Sequence, residues 1–192
     1  QQNTNRSNLV NQILAEYVSM MTPEKRVSNI FKSIEDLINQ CGMNIVPYVS
    51  PNQMTMSLKS SLEYKYRPTI KYEVSMYRTP QQGTIGELNV VFRTQSEELI
   101  RAMTDFFRLW TGIESAYRHD VEINYALYDG RFTRSISICP DRNYTNEEVG
   151  DNISSYIQIF DKLVKGYVSG SYNSRDVEMI YLEYYNRGVG LI

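Results

Sequence analysis

The side chains best suited to chemistry in this sequence are few and far apart. There is one histidine, His119, and there are two cysteines, Cys41 and Cys139. His119 precedes Asp120, with Glu114 and Ser115 nearby in sequence. An imidazole beside a carboxylate is the pattern of a general base. Adjacent residues of a strand point to opposite faces, however, so the spacing suits a surface or interfacial histidine better. As a nucleophile, Cys139 would need His119 as its base, and neither an oxyanion element nor an orienting acid is recognisable. The cysteines form no CxxC, so they read as two reduced structural thiols. Gly188-Val189-Gly190 imitates part of a dinucleotide fingerprint, but it ends the sequence with no helix to receive a phosphate. The pairs Glu97-Glu98 and Glu147-Glu148 fall in first helical turns, where carboxylates favour the helix dipole. No catalytic residue, cofactor or metal ligand is therefore expected.

The remaining reactive surface is arginine and tyrosine. Thirteen of the 20 basic residues are Arg, and 16 of the 23 aromatic residues are Tyr. Arg67, Arg78, Arg93, Arg118, Arg131, Arg134, Arg142, Arg175 and Arg187 are expected at strand ends or on strand faces, often near Tyr. Both residue types are enriched in protein interfaces, where Lys is depleted. Single-stranded nucleic acid on an aromatic platform is a competing reading; ordinary surface is a third. With 20 basic and 22 acidic residues the net charge is −2, which weighs against a generic nucleic-acid binder. No apolar run reaches the ~18 residues of a membrane span. The first residues, QQNTNRSN, lack the apolar core of a signal peptide.

These side chains are positioned by a pattern that changes period along the chain. Residues 1–8 read as a polar arm, and Leu9, Val10, Ile13, Leu14, Tyr17 and Val18 as a short helical stripe. Thr22-Pro23 opens a strong amphipathic helix over Val27, Ile30, Phe31, Ile34, Leu37, Ile38 and Cys41, closed by Gly42. Met43–Val49 and Met54–Leu58 are short strand candidates. Ile70, Tyr72, Val74 and Met76 alternate with Lys71, Glu73, Ser75 and Tyr77, and after a turn at Pro80–Gly83 the set Leu88, Val90, Phe92 alternates again.

Thr94-Gln-Ser-Glu97 matches a capping box ahead of Leu99, Ile100, Met103, Phe106, Phe107 and Trp110, with Gly112 as its stop. Val121–Tyr128, Asp129-Gly130 and Arg131–Cys139 form a hairpin that sets Tyr128 against Arg131, Leu127 against Phe132 and Tyr125 against Arg134. Ile123–Ile136 and Val121–Ile138 continue it, and Arg134 would stack on Tyr125. Thr145–Glu148 is a further capping box, opening a stripe from Val149 to Tyr167. Val177–Tyr185 reads as a last strand with apolar residues on both faces. The expected fold is one α+β domain over 1–192. It has about seven mostly antiparallel strands, three principal helices, an arm at 1–8 and a tail at 186–192.

The stretch from Gly86-Glu-Leu-Asn-Val-Val-Phe-Arg-Thr-Gln-Ser-Glu-Glu-Leu-Ile to Phe106-Phe107-Arg-Leu-Trp110 resembles the strand–helix centre of tail-tube subunits of contractile phage tails. The hairpin that follows and the Tyr-rich Val177–Tyr185 are similar to that family's last strands. The long helices Thr22–Cys41 and Val149–Val168 depart from tube subunits and bring tail-terminator, neck and baseplate ring subunits level with them. The resemblance implies rings of copies joined through their sheets, with no catalytic residues. The expected function is a structural subunit of a virion or phage-tail-like particle. Its partners would be further copies and neighbouring structural proteins, with no specific nucleic acid and no cofactor. It would lie in the virion, or in the cytoplasm during assembly. The expected contact residues are Tyr77, Tyr128, Arg131, Arg134, Tyr181, Tyr184 and Arg187, with Tyr77, Tyr128 and Tyr184 covered by another chain. The alternative is a binding module that docks a peptide, a lipid head group or a partner protein.

Overall fold

Capping chemistry sets most of the helix boundaries. The structure, a computed structural model, describes residues 6–17, 21–42, 44–48, 53–62, 67–128, 130–139 and 141–188. The first five residues, Asp129 of the hairpin turn and the segment after Gly188 lie outside them. Helix α1 (Arg6–Tyr17) begins within the span expected to be an arm, and its Leu9, Val10, Ile13 and Leu14 are exposed. Helix α2 (Pro23–Gln40) starts where Thr22 Oγ1 accepts from the Lys25 amide at 3.2 Å, with Pro at its first position. Val27, Ile30, Ile34 and Ile38 bury one stripe of it.

Helix α3 (Glu97–Tyr117) differs from expectation at both ends. Its N-cap is Ser96, whose Oγ accepts from Leu99 N, while Thr94 Oγ1 instead accepts from Ser96 N. Gly112 does not stop it. Glycine in a helix interior costs only about 1 kcal/mol relative to alanine, and burying the Ile113 side chain in the next turn, worth roughly 1.5–3 kcal/mol, outweighs that. Helix α4 (Asn146–Val168) carries the expected reciprocal box between Thr145 and Glu148. It approaches α2 so closely at Gly150 that a Cβ there would lie 2.5 Å from that of Ser33.

Six strands form one antiparallel sheet in the order β1-β2-β3-β4-β6-β5. They are β1 (Ile45–Tyr48), β2 (Thr55–Ser61), β3 (Thr69–Gln81), β4 (Thr84–Phe92), β5 (Tyr125–Tyr128) and β6 (Arg131–Ser137). The expected alternation holds. Ile70, Tyr72, Val74, Met76, Leu88, Val90 and Phe92 are buried toward the helices, whereas Lys71, Glu73, Ser75 and Tyr77 are half-buried on the open face. The core centres on Phe160 of α4, whose ring meets Tyr72, Phe106, Phe107, Trp110, Phe132 and Tyr156 at centroid distances of 5.0–6.2 Å.

The hairpin register is as expected from Tyr128↔Arg131 to Tyr125↔Arg134. Gly130 turns at φ +70° beside the Phe92 carbonyl. Pairing is shorter than expected. Beyond Tyr125 it continues as the Ser135 amide donating to the Asn124 carbonyl, and β5 does not include Val121 or Ile123.

One element changes type. Val177–Tyr185 is not a strand but part of helix α5 (Ser174–Asn186). Asn173 Oδ1 accepts from the Asp176 amide and the Asp176 carboxylate accepts from the Asn173 amide, a capping box that pins the chain into a helix. Val177 and Tyr181 are then buried, with Ile180 and Tyr184 packed beside them. Among the described residues, six strands and five helices therefore stand where about seven strands and three principal helices were expected, within the same α+β class.

Candidate functional site

Helix α3 and strand β6 each carry one charge on their buried face, and the fold brings them together. Glu114 and Arg134 are 0% and 1% exposed. Arg134 Nη2 lies 3.0 Å from Glu114 Oε1, its Nε donates to both carboxylate oxygens at 3.1 Å, and its Nη1 donates to the Ser135 carbonyl at 3.0 Å. Its guanidinium lies over the Tyr156 ring at 4.5 Å, while Tyr125 stacks on Phe132. The expected Arg134–Tyr125 stack is therefore replaced by a pairing with α4. Tyr156 donates to Glu114 Oε2 at 3.0 Å and accepts from Trp110 Nε1 at 2.7 Å. Burial works against the Arg134 charge, but the Glu114 carboxylate holds the guanidinium more firmly protonated than usual. Burial, then Glu114, pushes the Tyr156 phenol well above its ordinary value. Around this network the hydroxyls of Tyr125 and Tyr181 and Nη1 of Arg118 are buried with no hydrogen-bond partner among the described residues.

A second buried carboxylate lies five residues beyond Tyr156 on α4. Asp161 is 0% exposed; it accepts from the Tyr72 hydroxyl at 2.9 Å and pairs with Lys165 Nζ at 2.6 Å. It lines a cleft of about 460 Å³ with Asn44, Ser61, Lys162, Ser169 and Tyr172 among its walls.

The residues expected at a contact surface divide. Tyr128 is 65% exposed, and Arg131, its cross-strand partner, is exposed beside it. Tyr77 is half-buried and donates to Glu87 at 2.7 Å. Burial, then that acceptor, pushes its phenol up to about 12. Tyr184 is half-buried against Lys162, and Arg187 is exposed and paired with Glu183. Arg134 and Tyr181 lie inside the fold, so neither presents a side chain to a partner. Arg134 points from β6 under α3, and Tyr181 is held against Trp110 at 5.4 Å. Arg175 and Arg187 belong to α5 and its cap rather than to a strand end, and Arg118 is buried against Asp120.

His119 is exposed and Cys139 half-buried. The expected register would need hairpin pairing well beyond Asn124–Ser135 to join them, and the ladder stops there. Among the described residues, no group of three or more His, Cys, Asp or Glu is arranged to hold a metal. No described helix is long and apolar enough to cross a membrane.

The sequence offers Glu114 only as a neighbour of His119 and does not mark Asp161. A usable signal existed: Glu114 follows Trp110 by four residues on the stripe of Phe106, Phe107 and Ile113. Arg134 shares a β6 face with Phe132 and Ile136. Opposite charges on two apolar faces need each other when both faces are buried. Comparison of the chain with known protein families, with curated proteins and with solved structures finds no match.

Proposed function

We propose that this protein is a non-enzymatic assembly subunit that joins its neighbours through the β5 edge of its sheet, within a virion or phage-tail-like particle. The observation that carries the reading is the chemistry of that edge. Strand β5 is Tyr-Ala-Leu-Tyr, with no charge and no proline, and among the described residues it has a sheet neighbour on one side only. Leu127 and Tyr128 are exposed there. Monomeric proteins protect such an edge by keeping it short or with a charge, a proline or a cover; β5 is short, at four residues, but carries neither charge nor proline. The opposite edge is protected in that way. Strand β1 contains Pro47, and Lys59 of β2 reaches over the Tyr48 ring.

The succession of β4 into α3 supports the tail-like setting, because it is the stretch on which the resemblance to tail-tube and ring subunits rests. The other stretch, Val177–Tyr185, is helical and lends that setting nothing. The partners would be further copies and neighbouring structural proteins, met in the virion or in the cytoplasm during assembly. Light scattering and negative-stain images of the purified chain test the reading. Defined oligomers, rings or tubes are expected; a strict monomer at high concentration refutes it.

The Asp161 cleft favours a second reading, a binding module for a small polar group such as a lipid head group. Its volume is within the range of ligand pockets, and a buried carboxylate and a lysine meet in it. Lipid-strip and calorimetric titrations that depend on Lys165 would support this reading over the first.

A further inference from the structure

We infer that β5 pairs with β5 of a second copy of this chain about a two-fold axis, joining two six-stranded sheets edge to edge. The inference rests on the assembly reading above and names its partner and register.

Backbone parity leads to it. The Ser135 amide donates to the Asn124 carbonyl, and Tyr128 faces Arg131 across the turn. In an antiparallel ladder the bonding direction alternates residue by residue. Asn124, Ala126 and Tyr128 therefore turn their backbone groups toward β6, and Tyr125 and Leu127 turn theirs outward. An added strand bonds only to those two residues. If the strand is another β5, it too offers only Tyr125 and Leu127. Centring the axis on Ala126 sets Tyr125 against the partner's Leu127 and Leu127 against the partner's Tyr125, leaving none of these groups unpaired. Centring it on Tyr125 or Leu127 would leave some without a partner in β5.

The side chains suit that register. Ala126 faces the partner's Ala126, where small side chains let the strands close up. Leu127, 39% exposed on the helix side, meets the partner's half-buried Tyr125. Tyr128 lies against the partner's Asn124. No like charges oppose each other along the paired strands. Head-to-tail joining of β5 to β1 is less well served, because Pro47 supplies no N–H to a ladder.

The test uses Ala126→Cys in a chain with Cys41→Ser and Cys139→Ser. Facing residues of a non-hydrogen-bonded antiparallel pair have Cα atoms about 4.5 Å apart, inside the disulfide range of about 4.4–6.8 Å. Mild oxidation should convert most of this variant to a covalent dimer, while Thr133→Cys on β6 in the same background stays uncross-linked. Leu127→Lys, checked for fold by circular dichroism, should weaken association at least tenfold in sedimentation. An oligomer that neither cross-links at Ala126 nor responds to Leu127→Lys overturns this pairing and leaves the assembly reading standing. A chain that stays monomeric at high concentration overturns both.

Discussion

Two tyrosine–arginine pairs face each other across the same hairpin, three residues apart, and they have opposite fates. Tyr128 and Arg131 flank the turn on the open face of the sheet, in solvent. Tyr125 and Arg134 lie on the other face, where Arg134 is closed in by α3 and α4. Residue type is identical, so it cannot explain the difference. Parity sends one pair toward the helices, and the helices supply the carboxylate and the ring that make a buried guanidinium tolerable. Interface-like composition therefore marks two different things here, a core network and a free edge.

The comparison breaks first at Arg134. Arg134→Ala strands Glu114 in the core and should cost about 3–5 kcal/mol, read from chemical unfolding. Replacing both partners together, as Arg134→Met with Glu114→Leu, should recover most of that loss, because the desolvated charges go together. A double variant as unstable as the single one would contradict the network as drawn.

Next is Tyr156→Phe, which removes a hydroxyl bonded to both Trp110 and Glu114. It should cost about 1.5–3 kcal/mol, the scale of hydrogen bonds to charged groups. Tyr181→Phe removes a buried hydroxyl with no described partner and should raise stability by about 1 kcal/mol. Opposite signs at two buried phenols would separate the bonded one from the unbonded one in a single unfolding series.

Alkaline titration sharpens the same contrast. The Tyr72, Tyr125, Tyr156 and Tyr181 phenols are pushed upward, first by burial and then by Asp161 or Glu114, and Tyr77 reaches about 12. A phenol raised in the fold favours the folded state fully below its ordinary value of 10.0, and this contribution fades as pH rises through the folded value. The unfolding midpoint should fall above pH ~10, with most tyrosinate absorbance appearing only on unfolding. The smallest effect is expected at the exposed pair. Tyr128→Ala and Arg131→Ala should each change stability by no more than about 0.5 kcal/mol, while altering self-association.

Much of this architecture was readable from local chemistry. Thr22-Pro23, Thr145–Glu148 and the Asp-Gly hairpin each act over a few residues, so their outcome is written in adjacent positions. Strand parity along Ile70–Tyr77 is equally local. Val177–Tyr185, strand-like by its pattern and helical in the fold, has apolar residues on both faces at either period. Its box at Asn173–Asp176, lying just ahead of it, was the deciding signal. The β5 edge was legible only in part: Tyr128 and Arg131 were singled out, but how far β5 pairs along its neighbour was not.

By itself the sequence determined where α2 and α4 start, which residues of β3 and β4 share a face and how the hairpin registers next to its turn, because those depend on bonds within a few residues. Tertiary structure alone decided which faces became core. Arg134 is interior because Glu114, twenty residues away, and Tyr156 arrive on separate helices. Tyr181 is interior because α5 folds back on Trp110. Burial is a property of what comes to lie opposite a side chain, and no local spacing encodes that.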